Sequence, residues 1–182
     1  MKPQTWIFLL LGLATGAASA VAAPAALYGR IGGLGEGTQH TLKSGLEFGG
    51  GIDFDLSNAF ALGGGVAHAT DNRTGIDASC TSLEVHSRFR LGYGQVHPFL
   101  DMGAGLYSLH FDVPGSSSGV IDRHNAPGLL AGLGLEVRSA GPWGARAGAT
   151  YHTFASEASL DGGNMGDYFA MGASLEYRVT KK

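Results

Sequence analysis

Three residue types that together can hydrolyse an acyl bond stand close in the sequence: the imidazole of His152, the hydroxyl of Ser156 and the carboxylate of Glu157. Such chemistry needs the base within hydrogen-bond reach of the hydroxyl and the acid orienting the base, so these three are the candidate catalytic set if the chain is an enzyme. The other histidines, His40, His68, His86, His97, His110 and His124, lack the spacing that would put metal ligands on one face, and no metal site is expected. The run Gly33-Leu34-Gly35-Glu36-Gly37 superficially resembles a phosphate loop but lacks the further glycine, the lysine and the helix that such a loop needs. No cofactor is expected. Asn72-Arg73-Thr74 matches a glycosylation acceptor by chance composition, and Cys80, the single cysteine, rules out an internal disulfide. A formal net charge of −3 and a pI near 6.1 give no electrostatic footprint for nucleic acid.

The chemistry that recurs along the chain is ionic. Seven acids (Glu47, Asp53, Asp55, Glu84, Asp101, Glu136, Glu176) and six bases (Arg30, Arg88, Arg90, Arg138, Arg146, Arg178) fall at alternate positions within apolar stretches. Alternation of this kind is the signature of a strand with one wet and one greasy face. Between residues 44 and 56, Leu46, Phe48, Gly50, Ile52, Phe54 and Leu56 alternate with Glu47, Gly49, Gly51, Asp53 and Asp55. After the turn pair Ser57-Asn58, Phe60, Leu62, Gly64 and Val66 alternate with Ala59, Ala61, Gly63 and Gly65, which makes a hairpin. The same reading holds over 80–91, where Leu83, Val85, Phe89 and Leu91 oppose Glu84, His86, Arg88 and Arg90, and over 126–138, 143–154 and 168–179. Weaker strands are read over 27–35, with Tyr28 and Arg30 on one parity, and over 99–111, with Asp101 and Tyr107. That gives eight strands.

The first residues have a different purpose. Lys2, the apolar stretch from Trp6 to Leu13 and the small residues of Ala18-Ser19-Ala20 read as a secretory signal peptide, cleaved after Ala20 or alternatively Ala25. The remainder, residues 26–182, is expected to be a single domain. Beyond the signal peptide no apolar run approaches 18 residues, so a membrane could be crossed only by a closed barrel of strands. Composition agrees, with 31 glycines, 9% aromatic residues and 15% charged residues. The connections alternate: 57–58, 92–95 and 139–142 are short, whereas 36–43, 71–79, 112–125 and 156–167 are longer and polar. Short turns at one rim and long loops at the other describe an up-and-down barrel with the short side toward the periplasm.

Charge placement decides what surrounds such a barrel. With each strand phased on its apolar residues, all thirteen charges share the interior, where seven acids and six bases nearly cancel. One unpaired arginine facing lipid at mid-depth would cost about 2 to 4 kcal/mol. The inverted arrangement would bury thirteen charges and leave Leu46, Phe48, Ile52, Phe54, Leu133, Phe169 and Leu175 in water, a larger apolar patch than soluble monomers carry. The lumen is therefore expected to be plugged by a charged network that includes His86. Phe54, Phe60, Tyr93, Trp143 and Tyr177 would form one interfacial girdle, and Phe48, Tyr151 and Phe169 the other.

The hairpin Gly49-Gly50-Gly51 to Gly63-Gly64-Gly65, the strand Pro98-Phe99-Leu100-Asp101-Met102-Gly103-Ala104-Gly105-Leu106-Tyr107 and the ending Gly172-Ala173-Ser174-Leu175-Glu176-Tyr177-Arg178-Val179 resemble the small outer-membrane β-barrel families of Gram-negative bacteria. These are the OmpA-like transmembrane domain and the opacity-type surface antigens. The resemblance implies an all-β, eight-stranded antiparallel transmembrane barrel in the outer membrane, with lipid and lipopolysaccharide around it and extracellular loops able to meet a ligand. It also implies handling by the barrel-insertion machinery; members commonly end on an aromatic residue, whereas this chain continues through Thr180, Lys181 and Lys182, leaving Tyr177 and Val179 as substitutes. A non-enzymatic structural or surface-interaction role follows, with a narrow channel for small or apolar solutes as the alternative. A second alternative is a lipid A deacylase. Those barrels place serine two positions after histidine, where this chain has Phe154.

Overall fold

A computed structural model describes residues 23–35, 42, 44–73, 76–112, 122–155 and 165–179. Eight strands are present: β1 (Ala25–Gly35), β2 (Gly45–Asp55), β3 (Phe60–Arg73), β4 (Ile76–Arg90), β5 (Val96–Asp112), β6 (Asp122–Arg138), β7 (Trp143–Ala155) and β8 (Met165–Val179). Each pairs antiparallel with the next, and β8 pairs with β1 to close the barrel. The expected signal peptide, residues 1–20, lies outside the described residues.

Closure follows from the sequence through the pleat. Every strand alternates, so one face of each can be given wholly to the outside, and closing the sheet removes the unpaired edges that hydrocarbon could not satisfy. The three short turns sit at one rim. In the first, the amides of Leu56 and Ser57 both donate to the carbonyl of Phe60 at 3.0 Å. In the second, Gly92 and Gly94 have φ of +79° and +114°, a left-handed backbone that only glycine adopts without strain.

The opposite rim is taller than the alternation suggests. The segment 71–79, expected as a loop, is mostly strand: β3 continues to Arg73 and β4 starts at Ile76, with Asp71 paired to Ala78 and Arg73 to Ile76. Likewise β6 begins at Asp122 and β8 at Met165, inside segments expected to be loops. The physical reason is that apolar alternation marks only the part of a strand that faces lipid, while the backbone ladder runs on above that height.

Eight strands enclose a lumen just wide enough for side chains, so a large inward group needs bare backbone opposite. Glycine supplies it. A Cβ at Gly51 or Gly65 would lie 2.7 or 2.6 Å from the Tyr28 hydroxyl, and one at Gly134 would lie 2.7 Å from the tip of the Phe99 ring. The aromatic rings inside the barrel thus lie down on glycine floors contributed by other strands.

This accounting yields a paired prediction. At Gly63 an added methyl would collide with the Asp53 carboxylate and approach His86 Nε2 to 2.7 Å, whereas at Gly29, on the outer face, it meets nothing within 4 Å. Gly63→Ala is expected to destabilise the refolded barrel by about 1–3 kcal/mol through overpacking. Gly29→Ala is expected to be neutral or to stabilise by up to about 1 kcal/mol. Urea unfolding in detergent micelles measures both.

Candidate functional site

The inward positions of seven of the eight strands bring twelve of the thirteen sequence-identified charges into three bonded groups stacked along the lumen. Nearest the short turns, Arg90 on β4 reaches Asp55 on β2 at 2.8 Å and Glu136 on β6 at 2.9 Å. Arg138 bonds the same two carboxylates, Glu136 at 2.7 Å and Asp55 directly. The result is a square of two acids and two bases.

The middle group is built around Asp53. Its carboxylate accepts from Arg88 at 2.8 Å and Arg146 at 2.9 Å and contacts His86 Nε2 at 3.0 Å. Arg88 also forks onto Asp101, at 2.8 and 2.6 Å, and Arg146 reaches Glu176 at 3.2 Å. Two aromatic faces support the guanidiniums: Arg88 lies 4.8 Å from the Phe99 ring centre and Arg146 4.7 Å from that of Tyr28.

In the upper group Arg30 bridges Glu47, at 3.0 Å, and Glu84, at 3.1 Å. Tyr168 donates to Glu47 at 3.2 Å and Ser82 donates to Glu84 at 2.6 Å. His152 stands between the two acids, its ring stacked 4.4 Å from Tyr168 and its Nδ1 3.1 Å from the Tyr107 hydroxyl. Above this level the lumen turns apolar, where Leu42, Leu109, Cys80 and Phe154 pack in one buried cluster with Tyr107 and Tyr168.

Arg178, expected in the network, stands apart. It occupies the last inward position of β8, at the rim below the acids, and donates to the backbone carbonyls of Ser139 at 2.7 Å and Gly141 at 3.0 Å. There it fastens the β6–β7 turn. Conversely, Ser82, Tyr107, His152 and Tyr168 join the upper group although reading for charge alone passes over them. Parity was the available signal, since Ser82 shares the face of Glu84 and Tyr107 that of Asp101.

The hydrolase candidates are not assembled on the lipid-facing surface. His152 points into the lumen and is fully buried, Phe154 points the same way and stacks on Tyr107, and Ser156 and Glu157 lie outside the described residues. Of the other histidines, His68 bonds Thr81 at 2.8 Å on the outer face and His86 serves Asp53 within.

Three inward glycines in register, Gly148, Gly172 and Gly32, leave a cavity of about 80 Å³ beside the upper and middle groups. Arg30, Glu47, Glu84, Asp101, Arg146 and Ser174 are among its walls, which gives room and hydrogen-bonding partners for several waters.

The outer face is the reverse of this. Leu27, Leu46, Phe48, Met102, Leu135 and Leu175 are exposed, and Ile31 and Leu133 reach 63% exposure, while Glu136 inside is at 0%. Aromatic pairs sit on the belt at the short-turn rim, Phe60 with Phe89 and Trp143 with Tyr177, each with ring centres 5.0 Å apart. A surface this apolar is stable where hydrocarbon solvates it.

No family model matches the chain, and no curated protein matches it in sequence. Solved structures do match the fold. Neisserial surface protein A (NspA) superposes with a TM-score of 0.69 at 11% identity, over 86% of this chain and 97% of that one. The N-terminal β-barrel domain of Pseudomonas aeruginosa OprF gives 0.56 at 13% identity, over 85% and 97%. Ail, the attachment invasion locus protein of Yersinia pestis, solved with the heparin analogue sucrose octasulfate, gives 0.54 at 16% identity, over 86% and 97%.

The fold is that of the small outer-membrane β-barrels. Within this barrel the wall belongs to lipid and the lumen to ion pairs, and the balance of the lowest group invites a test. Removing one partner of a buried pair leaves the other uncompensated, at a cost of about 3–5 kcal/mol. Arg90→Met is expected to lose stability on that scale, and adding Glu136→Gln is expected to restore part of it by removing the orphaned charge. A double-mutant cycle from urea titrations in micelles measures the coupling.

Proposed function

We propose that this is a non-catalytic barrel of the outer membrane whose work is done at its surface, by the connections on the long-loop rim. The observation that carries the reading is how little of the rest is free. Guanidinium–carboxylate bonds cross the lumen from β1 to β4, from β2 to β7 and from β4 to β6, and an apolar cluster packs above them. The wall is committed to lipid and, at its upper edge, to lipopolysaccharide. What can meet a partner is then the set of segments 36–43, 113–121 and 156–164, together with the tall β3–β4 hairpin. Loops carried on a rigid scaffold are where binding function concentrates. Tyr177 and Val179, exposed on the last strand, would offer the barrel-insertion machinery its contact. The attachment name of Ail and the surface location in the name of NspA fit the same plan for proteins of this shape.

A loop-based role predicts that cells of a Gram-negative host expressing the intact chain adhere to collagen- or heparin-coated surfaces above background. Replacing the three segments by short turns should return adhesion to background while the barrel keeps its heat-shifted mobility in gels. Equal adhesion by both proteins would refute the reading.

The competing reading is a narrow solute channel, for which the cavity beside the ion pairs is the supporting feature. Planar-bilayer recording separates the two. A plugged lumen gives no stable unitary current, and Arg30→Ala, which deletes the β1–β4 bridge, is expected to raise the frequency of brief openings over wild type.

A further inference from the structure

The three groups in the lumen differ in charge balance. The lowest is even, with Asp55 and Glu136 against Arg90 and Arg138. The middle one sets Asp53, Asp101 and Glu176 against Arg88 and Arg146 and is one positive charge short. The upper one sets Glu47 and Glu84 against Arg30 alone and is also one short. Arg178, which would have reduced the deficit, is spent on backbone carbonyls at the rim. Each deficient group, and neither side of the balanced square, contains one imidazole. His86 Nε2 lies 3.0 Å from Asp53, and His152 lies 3.6 Å from Glu84 and 3.8 Å from Glu47.

We propose that the folded barrel binds two protons, one in the middle group and one in the upper group, each shared between the imidazole and the carboxylates around it. The alternative is two buried carboxylates with no counter-charge, which a tube walled by hydrocarbon penalises by several kcal/mol apiece. Among the described residues the surroundings offer nothing else of positive sign. Around the upper group β1 presents Tyr28 and Arg30, β2 Glu47, β4 Cys80, Ser82 and Glu84, β5 Tyr107, β7 His152 and β8 Tyr168, while β3 and β6 present Ala67, Ala69 and Leu130. Around the middle group stand Tyr28, Asp53, His86, Arg88, Asp101, Arg146 and Glu176, with glycines from β3 and β6. Asp71 stands higher on β3, level with Gly45 and Ala78, and His97 lies at the short-turn end of β5. Tyr168 and Ser82 supply hydrogen bonds to the acids but no charge. The protons make the barrel's firmness depend on pH: alkali removes them and leaves two groups of like charge pushing the strands apart.

The sign is fixed by linkage. Above about pH 7.5 the histidines and carboxylates of the unfolded chain have given up their protons, so any proton still held belongs to the folded state and stability falls as pH rises. In a Cys80→Ala background, which removes a thiol that titrates in the same window once the chain is unfolded, urea unfolding of the signal-free chain in phosphatidylcholine vesicles between pH 7.5 and 9.5 is the measurement. The unfolding constant should rise by up to about tenfold per pH unit for each proton held, hence up to about a hundredfold for two. Glu176→Gln and Glu47→Gln should each lower that slope by one proton and raise stability at the alkaline end. Glu136→Gln, in the balanced square, should cost stability and leave the slope alone. A wild-type slope near zero, or a slope unmoved by both amide variants, overturns the proposal. So does a stability that follows sodium concentration at fixed pH, because metal ions would then be supplying the missing charge.

Discussion

A charge inside a tube walled by hydrocarbon must find its opposite within the tube. Every other feature of this barrel is arranged around that constraint. Water is too scarce in an eight-stranded lumen to solvate five arginines and seven acids, so each guanidinium is shared between two carboxylates contributed by different strands. Because the partners lie on β1, β2, β4, β5, β6, β7 and β8, the pairs brace the barrel across its axis as well as along its wall. β3 contributes no charge to the groups. Its inward face of Ala61, Gly63, Gly65, Ala67 and Ala69 is the space into which the neighbours' long side chains fold.

The same narrowness explains why the alternation in the sequence is not one of large apolar against large polar residues. Where Tyr28, Phe99 or Tyr107 projects inward, the facing position is glycine, and the ring or hydroxyl rests on backbone. Removing Cβ atoms from one strand creates room for a full side chain from another, so packing is achieved by exchange of volume between strands. Beside Gly148, Gly172 and Gly32, three bare positions in register, the exchange is incomplete and a cavity remains.

Much of this was legible in the residues themselves. Eight strands, the sidedness of each and the placement of charges inside follow from period two, which a β-strand cannot violate without turning a face over, and the up-and-down order follows from the alternation of short and long connections. Three things were not legible. Strand height above the membrane was hidden, because residues such as Asp71, Asn72 and Arg73 carry no alternation once lipid is absent, and a polar run reads as a loop. The apolar cluster of Leu42, Leu109 and Phe154 was hidden although parity puts Leu109 with Asp101 and Phe154 with His152: a face read for its charges gives no sign that its long-loop end is greasy, and Leu42 stands in a segment that reads as a loop. The pairing pattern was hidden because parity gives the face of a residue and not its partner across the lumen. Arg178 shows the difference, with the right face and a backbone partner at the rim.

Buried ion pairs are poor sources of stability when compared with apolar residues of equal volume, so their retention here needs a reason beyond energy. Sidedness supplies one. An apolar lumen would give strands that are greasy on both faces, and a slip of one residue would then cost little, because lipid would accept either face. With Glu84, Arg88 and Arg90 on the inward face of β4, the same slip carries all three into hydrocarbon, at about 2 to 4 kcal/mol for a cation at the midplane and less for the acid or for a cation near the interface. The charges therefore act against the wrong register more strongly than they act for the right one. That asymmetry also accounts for the uneven groups: an acid without its own arginine still forbids the slipped register, and a nearby imidazole is enough to seat it in the correct one.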